Sequence, residues 1–173
     1  MTTLLAIVLA ASLTGAAEPD GTTALHRASY EDNLEQADSL IRGGADVNAA
    51  SDLGVTPLWL AAQNGSEPMV RRLLAAGANP NLALISGETP VMVAARSGKA
   101  AIVEQLIAKG ASVNVHGARK QTALMWAVSQ RHPDVVKVLL AHGADLSLRS
   151  EKWSQVYAVP RHGYMPYNRE IPS

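Results

Sequence analysis

The chain has 173 residues, 15 Lys plus Arg against 15 Asp plus Glu, and no Cys. The charge balance gives no bulk electrostatic reason to bind nucleic acid or an anionic membrane surface, and the absence of thiols excludes disulfides, thiolate catalysis and Cys-based zinc sites. Aromatics are 4% and Phe is absent, so a core must be built from aliphatic side chains and Ala, a composition suited to helices packed at short range.

Residues 1–17 read as an export leader. Residues 4–13 form an uncharged apolar run too short to span a bilayer, and Gly15 and Ala17 suit the small-residue −3 and −1 places of a secretory cleavage site. Cleavage after Ala17 is expected, leaving a mature chain that is exported, periplasmic or extracellular, with no stable membrane span. Met1-Thr2-Thr3 offers only the α-amino charge where Lys or Arg is usual. The alternatives are an uncleaved anchor or a buried first helix.

From residue 20 the chain repeats. Thr23-Ala24-Leu25-His26, Thr56-Pro57-Leu58-Trp59, Thr89-Pro90-Val91-Met92 and Thr122-Ala123-Leu124-Met125 begin 33 residues apart. A second series, Gly44-Ala45-Asp46, Gly77-Ala78-Asn79, Gly110-Ala111-Ser112 and Gly143-Ala144-Asp145, keeps the same interval. Four units are therefore expected over about 20–52, 53–85, 86–118 and 119–150. Each Thr precedes a helical pattern, where its hydroxyl caps a free N–H, and Pro57 and Pro90 take the next place at no cost, since that N–H has no helical partner. First helices are expected over 56–63, 89–96 and 122–129, with Ala61-Ala62, Ala94-Ala95 and Ala127-Val128 as close-packing faces.

Gly65 and Gly98 suit the left-handed turn after two of these helices, whereas Asp32 and Arg131 at the equivalent places predict strain or a different closure. Second helices carry Met69-Val70 with Leu73-Leu74, Ile102-Val103 with Leu106-Ile107, and Val135-Val136 with Leu139-Leu140, one apolar stripe each. The first unit has the half-polar Gln36-Ala37 and Leu40-Ile41 expected of a capping repeat. Gly44, Gly77, Gly110 and Gly143 close the second helices.

A fifth Thr would fall at position 155, where Gln155 stands, and the frame is lost. Residues 151–173 hold Trp153, Tyr157, Tyr164 and Tyr167, four of the seven aromatics, with Pro160, Pro166 and Pro172. Two readings stay open: an irregular cap over the last unit, or an insertion before further repeats in a longer protein.

A 33-residue period with a T-P-L-H-like start resembles the ankyrin repeat over residues 20–150. The resemblance implies an all-α repeat fold, an ankyrin solenoid of stacked helix-turn-helix units with β-turn fingers. It also implies a protein-binding module whose partners contact the finger tips and the exposed ends of the first helices. Carried over by position, this points to Asp52, Leu53, Val55, Gln63 and Asn64 in unit two, and to Ile85, Ser86, Glu88, Arg96 and Ser97 in unit three. In unit four it points to Ala118, Arg119, Gln121, Ser129 and Gln130, and in unit one to Tyr30.

Trp59, Met92 and Met125 stand where the motif His is kept at His26, and Leu60, Val93 and Trp126 follow; apolar residues once per repeat read as inter-unit core rather than as a cofactor box. Trp126 is the largest of its series and is expected against residues 151–173. The five His do not converge: His132 and His142 bracket one helix roughly 15 Å apart, too far for one ion. No G-x-S-x-G stretch occurs. No enzyme activity, cofactor or metal is expected. The partner is another protein of unknown identity; the rival readings are an accessory subunit of a secreted enzyme, the front of a longer ankyrin protein, and a structural solenoid self-associating through its C-terminal end.

Overall fold

The computed structural model describes residues 18–150. The expected leader, the cap-or-continuation segment 151–173 and a contact between that segment and Trp126 lie outside these residues. Eight α-helices follow in chain order: α1 Ala24–Tyr30, α2 Leu34–Arg42, α3 Pro57–Asn64, α4 Glu67–Ala75, α5 Pro90–Arg96, α6 Ala100–Ala108, α7 Ala123–Ser129 and α8 Pro133–Ala141. A 3₁₀ turn, Ala118–Lys120, precedes α7. Within each unit the two helices pack together; between units α1, α3, α5 and α7 form one row and α2, α4, α6 and α8 a second. No helix among the described residues is long and apolar enough to cross a membrane.

The helices start as Thr chemistry dictates, with one exception. Thr23, Thr56 and Thr122 accept from the N–H of His26, Trp59 and Met125. Thr89 makes no side-chain cap. The Met92 N–H instead donates to the Thr89 carbonyl at 3.0 Å, leaving the buried hydroxyl idle. After the first helices, Gly65 and Gly98 have φ of 75° and 72°, and Asp32 and Arg131 adopt the same left-handed geometry at 55° and 60°. The turn is thus closed one way four times, and two units hold it with a side chain that strains it.

The core runs between units. Ala28, Ala61, Ala94 and Ala127 are fully buried in the row of first helices, as are Val70, Val103, Leu73, Leu106 and Leu139 in the second row. In α2 only Ala37 is buried, against four residues in α4 and three in α6. Val128 does not pack as the Ala127-Val128 face predicted. Its equivalents Ser29, Ala62 and Ala95 are closed off by the following unit, whereas Val128 is 59% exposed, because no described unit lies beyond it.

Polar ties repeat with the same period. Asn48 donates to the Gly77 carbonyl (3.3 Å) and accepts from the Asn79 N–H (2.7 Å). Asn81 does the same with Gly110 (2.9 Å) and Ser112 (2.8 Å), and Asn114 with Gly143 (3.0 Å) and Asp145 (2.9 Å). The Arg72 guanidinium meets Asp38 of the preceding unit at 2.8 Å. His26 is a further tie, lying 2.8 Å from the Val55 carbonyl through Nε2, while Nδ1 accepts from the Thr23 N–H. That pattern requires the neutral Nε2–H tautomer. Trp59, at the equivalent place, leaves its Nε1 without a partner.

Two measurements follow from these ties. Asn81→Ala removes one donor and one acceptor bond across the joint between units two and three and is expected to cost about 1–2 kcal/mol, read as a lower urea midpoint. Burial holds the His26 imidazole below its ordinary pKa, against the opposing pull of the Val55 carbonyl and of Asp20. A lowered folded-state pKa means that the unfolded chain binds the proton more readily. The stability contributed by neutral His26 is present above about pH 6.5 and lost as pH falls below it. The Tm of His26→Leu is expected to depend less on pH over that acid window than the Tm of the parent chain.

Candidate protein-binding surface

The fingers are built by short hairpins between units. Ser51, Leu84 and Gly117 donate their N–H groups to the carbonyls of Val55, Glu88 and Gln121, closing the turns. Successive tips are then joined, Asp52 N–H to the Asp20 carbonyl at 2.9 Å and Ile85 N–H to the Leu53 carbonyl at 3.0 Å. Gly21 and Gly54 permit this approach. A Cβ on Gly54 would stand 2.8 Å from the Ala83 carbonyl oxygen, and its φ of 79° already disfavours other residues. The fourth finger departs: Arg119 and Lys120 both take positive φ, 58° and 55°, in the 3₁₀ turn.

The expected contact residues fall into three groups. Asp52, Leu53, Ile85 and Ser86 are exposed at adjoining tips, with Leu53 at 67% and Ile85 at 76%. Val55 is half-buried beneath them. Tyr30, Gln63 and Asn64 are exposed at the ends of α1 and α3. Tyr30 is 65% exposed, and the Asn64 amide donates to its carbonyl at 2.7 Å, so Asn64 also ties two units together. Ser129 and Gln130 are exposed at the end of α7, and Ser97 at the end of α5. Arg119 is exposed in the 3₁₀ turn of the fourth finger.

The third group converges on a cleft of about 90 Å³ where the fourth finger leaves the register, and Ser86, Glu88, Arg96, Ala118 and Gln121 line it with Met92 and Trp126. Glu88 Oε1 is out of contact with solvent and lies 2.6 Å from Arg96 Nη1. The same guanidinium sits over the Trp126 ring, 5.4 Å from its centroid. Its carbonyl accepts from His132 Nε2 at 3.0 Å, the His132 ring lying against Gly98. Arg96 is therefore held on three sides. Sequence reasoning singled out Trp126 for its size and expected it against residues 151–173, which lie outside the described residues; it is half-buried against the core and forms the floor under Arg96. Its size against Leu60 and Val93 was the signal. No cluster of three or more His, Asp or Glu that could hold a metal occurs among the described residues.

The family model for ankyrin repeats, in three copies, matches residues 3–83 and, overlapping, 58–150. The chain belongs to the ankyrin-repeat family. The first match begins inside the segment that reads as a leader. No curated protein matches the chain. Ankyrin repeats are generally protein–protein interaction modules.

Stacking of Arg96 on Trp126 is measurable without a partner. A double-mutant cycle of Arg96→Ala and Trp126→Leu is expected to give a coupling of about 0.5–1 kcal/mol in urea unfolding.

Proposed function

We propose that the chain is a docking module that presents its finger tips and first-helix ends to another protein, and that it does so outside the cytoplasm. The observation that carries the docking reading is the pair Leu53 and Ile85, two large aliphatic side chains more than half exposed on tips joined by a backbone hydrogen bond. Scattered exposed aliphatics are ordinary; two fixed side by side on an ordered edge form the kind of patch that becomes the dry centre of an interface. Beside them the Arg96 cleft offers a planar cation, an aromatic ring and the Gln121 amide at a polar rim. Because the fingers are hydrogen-bonded in the free chain, little ordering entropy is lost on docking. Residues 1–17 support the exported setting through their apolar run and small-residue cleavage site.

The test uses the native protein and its partner from a periplasmic or extracellular fraction. The double variant Leu53→Asp with Ile85→Asp is expected to weaken that complex by at least about tenfold while the Tm stays near the parent value. Equal affinity of parent and variant would remove the tips from the interface, and retention of the native chain in the cytoplasm would remove the exported setting.

A further inference from the structure

Unit four differs from the other three at the three places that receive a following unit. The first is the finger glycine: a Cβ on Gly21 or Gly54 would meet the next finger's backbone at 3.0 or 2.8 Å, and Gly87 lies near Gly117, yet the fourth member of the series is Lys120. The second is the small residue of the first helix: Ser29, Ala62 and Ala95 have no exposed surface, and the fourth member is Val128. Seating an identical unit against its two extra methyl groups would overpack the joint. The third is the bridging amide: Asn48, Asn81 and Asn114 each clamp the next unit, and the fourth member, Ser147, has neither the reach nor the paired donor and acceptor.

The groove on this side is mainly apolar, with Thr122, Ser129 and Asp145 as its polar lining. Leu124, Met125, Val128, Leu146 and Leu148 line this groove of about 310 Å³ beside α7, and Leu146 is 74% exposed. A stack that simply met water here would carry polar residues on this face, as α2 does at the other end.

We infer that unit four ends the stack and that residues 151–173 of the same chain dock into this groove. Three observations select that occupant. The segment leaves the described fold at Ser150, two residues beyond Leu148 of the groove wall, so its local concentration at the groove is that of a short tether. It concentrates side chains of the required kind, Trp153, Val156, Tyr157, Tyr164 and Tyr167. A fifth unit is rejected at the finger, the helix and the bridging amide. The groove does not include the exposed tips Leu53 and Ile85, although Ser129 at the end of α7 lines it.

Hydrogen exchange of the full chain, followed by mass spectrometry, tests this. In the parent chain, amides within 151–173 are expected to exchange at least about tenfold more slowly than an unstructured segment. Val128→Asp should return them to the unstructured rate while α1 to α6 stay protected. Leu146→Asp, on the opposite wall, should do the same and decides the matter if the first variant also opens α7 and α8. Unprotected exchange in the parent chain overturns the inference, as does protection that survives both variants. Protection that appears only at concentrations where the chain dimerises would assign the groove to a second copy and equally overturn it.

Discussion

Burial in this chain is shared between neighbours. The helices are seven to nine residues long, too short to persist alone, and no unit encloses its own apolar face. Ala28, Ala61, Ala94 and Ala127 have no exposed surface because helices of the same row approach closely, and only a methyl-sized side chain allows that spacing. The Asn bridges, the Arg72–Asp38 pair and the His26 and His132 contacts all cross the same joints. Stability is accordingly a property of pairs of units, and the loss of one joint weakens both sides of it.

The fold was legible because its determinants are local and periodic. Thr before the helix, Pro at its first turn, Gly in the left-handed turns and the apolar stripes recur every 33 residues, so one reading checks the next. What escaped depends on the neighbouring unit. Nothing local distinguishes Thr89 from Thr56, yet its hydroxyl is idle. Val128 looks like another member of a packing face, yet it is exposed because no unit among the described residues lies beyond it. Trp126 and Arg96 are separated by almost a full unit, and no local pattern in either unit announces their contact. The candidate site was half legible for the same reason: the position within each unit identified Leu53, Ile85, Glu88 and Arg96, but not which of them would meet.

The finger tips and the cleft divide their side chains by how committed they are. At the tips, Leu53 and Ile85 touch little and are fixed by backbone bonds. In the cleft, Arg96 is ion-paired, stacked and accepting a bond through its carbonyl, so its position is set before anything approaches. Recognition there would come from shape and a fixed dipolar rim rather than from a mobile charge seeking a counter-ion.

The glycine column of the fingers has a consequence for how such a chain can lengthen. A duplicated copy of unit two or three carries its glycine, its alanine and its bridging amide, and slots between existing units without disturbing either joint. A duplicated copy of unit four placed in the interior carries Lys120, Val128 and Ser147 to a joint that needs the opposite three. Duplication of unit two or three thereby costs less at the joints than an inward copy of unit four.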